Sequence, residues 1–205
     1  MENKHIYQDW LTLSQLADNA ITIACFNEVE KRYTQEDRYY HTLIHIKDLF
    51  DHIKRASVSK LEKQLLAHVA LFHDVIYNSR TTDNEFQSAE FATPWLKQLG
   101  LEKTHQEIIY KIILATSNHI SSNPLTQLFL DMDLSILGAS PKKYKEYSDV
   151  IRKEHLQIPL LLYKQGRKRF LKQMLQRTHI FQTRAYQTSY DVQARINIQE
   201  ELKTL

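Results

Sequence analysis

The stretch L-A-H-V-A-L-F-H-D-V-I-Y, Leu66 to Tyr77, constrains this chain more than any other. It sets His73 and Asp74 side by side near the end of an otherwise apolar helix. An imidazole or carboxylate buried there without a partner costs several kcal/mol. A metal cation is the simplest compensation, because a neutral His and an ionised Asp both coordinate one. The fold must then bring further ligands to the same place. His41 and His45 upstream, and Asp131 and Asp133 downstream, are the candidates.

Three glycines and four prolines in 205 residues are too few for a turn-rich β protein, so the expectation is all-α. Hydrophobic residues at 42% and charged residues at 25% are ordinary globular values, and the length suits one large core. We read a single domain over 1–205, with a motif core at about 34–138 and C-terminal helices 140–205 packed on it. The net charge of +3 is a mild bias towards anionic ligands and too small to argue for nucleic acid. One cysteine, Cys25, excludes an internal disulfide. The first thirty residues show no secretory pattern and no apolar run approaches a membrane span, so a cytoplasmic protein without membrane contact is expected. A homo-oligomer is compatible with these features.

Apolar spacing predicts a helix from Trp10 to about Arg32 and another from residue 38 towards Arg55, which would put His41 and His45 on one face. Ser59 with Glu62, Thr82 with Glu85, and Thr104 with Glu107 fit capping boxes. Gly100 is an expected αL stop, and Pro94 an expected kink or split in the helix before it. The segment from Pro124 to Gly138 buries Asp131 and Asp133 in an apolar helix, and Ser140-Pro141 starts the next. Pro159 restarts the chain, Gly166 is expected to break or kink it, and Thr178 to Ser189 reads as a surface loop. A polar helix from Asp191 to Leu202 closes the chain.

Four motifs, R-x-Y-H-x-x-x-H, F-H-D-V-I-Y, D-N-E-x-x-S-A and D-M-D-L-S-I-L-G, occur in that order, followed by I-R-x-E-H, G-R-x-x-x-L and A-R-I-N-I. This H…HD…D pattern resembles the HD superfamily of metal-dependent phosphohydrolases, and more narrowly a small bacterial branch of predicted HD-domain hydrolases. The resemblance covers roughly residues 34 to 200. It implies an HD-type helical bundle with His41, His73, Asp74 and Asp133 as ligands of a divalent metal (Mn, Mg, Fe, Co, Ni or Zn). His41 is preferred to His45 because it follows R-x-Y directly, and the choice stays open. Asp133 is preferred to Asp131 because it directly precedes the Leu-rich turn.

The implied reaction is hydrolysis of a small phosphorylated substrate, a nucleotide among the candidates, by a metal-activated water that Asp74 helps orient. Arg38, Arg152, Arg167 and Lys168 are the cations expected to hold the phosphate. His45 and His119 are expected to donate to it or to bind a second ion. Many nucleotide-cleaving relatives carry an acid three residues after the motif Asp, where this chain has Tyr77. Acid help is then expected from Glu85, or from Tyr77 at the substrate, or is absent.

Overall fold

The computed structural model describes residues 2–205, and no strand occurs among them. The all-α expectation holds. Backbone packing divides the chain into two compact units, Met1–His119 and Ile120–Leu205.

The first unit holds α1 (Glu2–Ser14), α2 (Ala20–Tyr33), α3 (Leu43–Arg55), α4 (Lys60–Phe72), α5 (Asn84–Gln98) and α6 (Lys103–Ala115). The helix α4 is its centre, packed against α1, α3, α5 and α6. Every residue from Leu65 to Phe72 is buried, as a helix apolar all round requires. Each such Leu, Val or Phe side chain contributes roughly 1.5–3 kcal/mol on burial. The Ser59–Glu62 capping box forms as expected, with Glu62 N–H donating to Ser59 Oγ and Ser59 N–H to Glu62 Oε2.

Several boundaries differ from the sequence reading. The N-terminal helix is two helices, because Gln15 turns left-handed (φ 56°) and Asn19 starts a new one with its own capping box. The helix expected from residue 38 starts at Leu43, where the extended Thr42 caps it through its side chain. The boxes at Thr82 and Thr104 do not form: α5 and α6 begin after Asp83 and Glu102, and neither cap makes a side-chain bond. Asn84 instead closes the preceding loop, accepting from Asn78 N–H at 2.9 Å and donating to Asn78 O at 3.0 Å. Pro94 lies inside a continuous α5, and Gly100 (φ 80°) supplies the expected left-handed stop.

The second unit holds α7 (Pro124–Leu134), a 3₁₀ turn at Ser135–Gly138, α8 (Pro141–Glu154), α9 (Leu160–Gln176), α10 (Arg184–Tyr186), a π turn at Gln187–Asp191 and α11 (Val192–Thr204). Gly138 is a required glycine, since a Cβ there would sit 2.6 Å from Tyr190 Cβ and Tyr190 O. Gly166 breaks nothing, and α9 runs through it. The surface loop expected at 178–189 is irregular only to Thr183, since α10 and the π turn take up the rest, and its Ile180 and Phe181 are buried; the irregular part is pinned by two acids. Asp131 accepts from Gln182 N–H and Thr183 N–H, both at 2.7 Å, and from the Thr183 hydroxyl at 2.6 Å; Asp191 accepts from Ile180 N–H at 2.6 Å. Burial pushes the Asp131 carboxyl pKa up, and these donors only partly offset it. Asp131 therefore has a complete structural job in its own unit. No helix among the described residues is long and apolar enough to cross a membrane.

Candidate metal centre

At the C-terminus of α4 the helix stops because His73 is its cap and the chain turns, Val75 N–H donating to Phe72 O at 3.2 Å. Three side chains from outside α4 hold this turn. Tyr33, the last residue of α2, accepts from Asp74 N–H at 3.2 Å. Arg38 donates to Asp74 O at 2.7 Å, to Val75 O at 2.9 Å and to His41 O at 3.2 Å. Ser88 of α5 accepts from Ile76 N–H at 3.1 Å and donates to Ile76 O at 3.2 Å. Of these only Arg38 carried a functional expectation; Ser88 had a sequence signal through D-N-E-x-x-S-A, and Tyr33 had none.

The result is one group of possible ligands, His45, His73 and Asp74, whose ligand atoms all lie within 4.8 Å of one another. His73 Nε2 is 3.2 Å from His45 Nε2 and 3.0 Å from Asp74 Oδ2. The sequence preferred His41, and the structure puts His45 in that group. The reason is the helix start: with Thr42 as cap, His45 rides on the first turn of α3 and His41 lies ahead of it, so the two do not share a helical face. His41 Nε2 stays 3.8 Å from Asp74 Oδ2, and its ring stacks on Tyr77 at 4.1 Å between centroids.

The donor set fits a metal. Nitrogens each about 2.0–2.1 Å from one ion lie roughly 3.1–3.4 Å apart at near-tetrahedral angles, which brackets the observed His45–His73 separation. His73 Nδ1 is 3.0 Å from Ala70 O, and donation there leaves the Nε2 lone pair facing the group. In a neutral ring that lone pair meets a carboxylate oxygen at 3.0 Å, an acceptor against an acceptor, whereas a protonated ring would donate to it. A cation between them removes the conflict, and the negative end of the α4 dipole favours one at this spot. Access is one-sided: the His73 side chain is 0% exposed, while those of Asp74 and His41 keep 16% and 17%.

The remaining expected site residues are placed as follows. Glu85 is half-buried in the first turn of α5, and His119 ends the first unit in a left-handed turn (φ 54°) after α6. Asp133 is half-buried near the end of α7, in the second unit. Lys168 is half-buried on α9. The arginines expected at phosphate are committed elsewhere. Arg38 is buried on three carbonyls and stacks over Tyr33 at 4.7 Å. Arg167 meets Glu201 with Nε at 2.8 Å and Nη2 at 3.0 Å. Arg152 donates to His155 O at 2.6 Å and lies over Tyr163. Both Arg38 and Arg167 are buried and bonded to groups within their own unit.

No protein-family model matches the chain, and neither a curated protein nor a solved structure shows significant similarity to it.

Proposed function

We propose that the chain is a metal-dependent phosphohydrolase acting on a phosphomonoester or phosphodiester of a small metabolite, with nucleotides among the candidates. The convergence of His45, His73 and Asp74 carries the reading, and the H…HD…D motif order supports it. A divalent ion held there would supply an acidified water and neutralise charge developing on a phosphate oxygen. His45 and His73 would bind it as neutral imidazoles and Asp74 as a carboxylate, with the ring orientation of His73 fixed through Ala70 O. Asp74, on the open side, would be placed to orient the attacking water. His41 and Tyr77 form the wall beside it, where a phosphate ester would enter.

Metal analysis and hydrolysis of a generic aryl phosphate, with Mn²⁺ or Mg²⁺ added to the chelator-treated chain, test this directly. Activity and metal content should both collapse in His73→Ala and Asp74→Ala; equal metal content in all three proteins would defeat the ligand assignment. A non-catalytic domain with a structural metal is the competing reading. It is favoured by the commitment of Arg38 and Arg167 to internal partners. Metal binding without hydrolysis across a broad phosphoester panel would decide for it.

A further inference from the structure

We propose that Arg38 is a positioning residue of this centre, holding the His73–Asp74 turn and the His41 turn in one frame so that the ligand atoms stay converged. The inference rests on the metal reading above. It begins from the problem that α4 poses by ending. Past the last helical turn, the carbonyls of Asp74 and Val75 have no helical donor, and buried carbonyls without one are costly. The chain meets them from 36 residues upstream with a single side chain.

Arg38 is 6% exposed. Its Nη1 serves His41 O and Asp74 O, and its Nη2 serves Val75 O, so one planar group ties two adjacent carbonyls of the turn to the segment before α3. The Tyr33 ring lies under the same group at 4.7 Å, and the hydroxyl of that tyrosine receives Asp74 N–H. The peptide units on both sides of the Asp74 side chain are therefore fixed, by Tyr33 before it and Arg38 after it. Arg38 Nε has no hydrogen-bond partner. The group thus keeps its place for the carbonyls even with one buried N–H unmet. A lysine could not reproduce the fork, because an ammonium is a point charge on a flexible stem.

This assignment separates Arg38 from the phosphate-binding role that its residue type suggested. A positioning arginine sets metal affinity; a phosphate arginine sets KM for substrate. Partners that orient metal ligands typically change affinity about 10- to 100-fold when removed.

The test is calorimetric titration of the chelator-treated full chain with Mn²⁺ alone, below its unfolding temperature. The proteins compared are wild type, Arg38→Gln, Arg38→Lys, Tyr33→Phe and His73→Ala. Arg38→Gln should weaken Mn²⁺ binding by about 10- to 100-fold, with Arg38→Lys recovering only part of it. Tyr33→Phe, which keeps the ring and loses the acceptor for Asp74 N–H, should weaken it several-fold, and it carries the test if Arg38→Gln does not fold. His73→Ala should abolish binding. Wild-type Mn²⁺ affinity in Arg38→Lys and Tyr33→Phe overturns the positioning role and leaves the metal reading standing. So does a raised KM for aryl phosphate at unchanged Mn²⁺ affinity in Arg38→Lys. A wild-type chain that binds no divalent metal removes both.

Discussion

At His45, His73 and Asp74, lone pairs and a carboxylate converge; at Arg167 and Glu201, a five-donor fork meets a carboxylate that also accepts from Tyr144 at 2.5 Å. The second cluster is complete within itself. Burial alone would raise the Glu201 pKa, but the Arg167 hydrogen bonds and charge, with Tyr144, outweigh it and leave it below the usual carboxylate range. In the first cluster the nearby guanidinium of Arg38 is turned to backbone carbonyls, and the three side chains bring ligand-type atoms within 4.8 Å of one another. Both regions bury polar groups, and the first groups side chains that could hold a metal ion. The useful signal is therefore a convergence of ligand-type atoms, which polarity or burial alone does not provide.

The largest expected effect breaks the self-sufficient cluster. Arg167→Met leaves the Glu201 carboxylate buried without its partner and should cost about 3–5 kcal/mol, read as a lowered urea midpoint. Arg167→Met combined with Glu201→Leu should recover more than half of that, because both charges are gone. A single-variant loss below about 1 kcal/mol would mean that solvent reaches Glu201 and that the comparison with the metal cluster is misdrawn.

Next comes the cluster of His45, His73 and Asp74. Divalent metal at a hundred times its Kd should add about 2.7 kcal/mol of stability to the chelator-treated chain, seen as a raised Tm. Asp74→Asn should lose that increment, since the amide brings no charge to the site. An unchanged metal-induced rise in Asp74→Asn would remove Asp74 from the ligand set.

A third buried polar group sits on the same helix as His73 and shows what an imidazole does with neither kind of partner. His68 is five residues earlier on α4, its ring edge-on to Trp10 and its Nδ1 unpaired. Desolvation pushes its pKa down to about 3 from 6.5. Unfolded chains take up a proton below pH 6.5 that the native chain refuses, so stability is full above that value and falls as pH drops towards 3. The slope approaches about 1.4 kcal/mol per pH unit for one proton. In metal-free protein, His68→Leu should flatten the stability profile between pH 6.5 and 5 relative to wild type. Parallel profiles would show that His68 is protonated in the folded chain.

How much of this was readable beforehand varies with the kind of signal. Composition and the apolar run at 66–72 sufficed for the helical class, because a scarcity of Gly and Pro acts on every segment at once. His73 and Asp74 were legible because a charged pair at the end of an apolar helix is costly wherever it folds. His45 was not separable from His41, since that choice turned on whether Thr42 capped the helix or lay inside it, and R-Y-Y-H-T-L-I-H-I carries a helical pattern either way. The role of Tyr33 was invisible, because a hydroxyl that receives one backbone N–H from 41 residues away leaves no local pattern. Arg38 and Arg167 drew a phosphate expectation from residue type alone, while only packing revealed their internal partners.

The smallest effect concerns Gly166, which the sequence marks as a break and the structure carries inside α9, next to Arg167. Nothing lies within 4 Å of where its Cβ would be, and its φ is not in the left-handed region. A glycine there has no steric duty, and it costs helix propensity and unfolded-state entropy. Gly166→Ala should therefore stabilise the chain by about 0.5–1 kcal/mol in urea titration. Because that gain does not depend on the guanidinium fork, it should be about the same with Glu201 paired and in the Arg167→Met background. Destabilisation by Gly166→Ala would mean that α9 bends at this point in solution, and that Glu201 is matched by a more mobile Arg167 than the bidentate geometry implies.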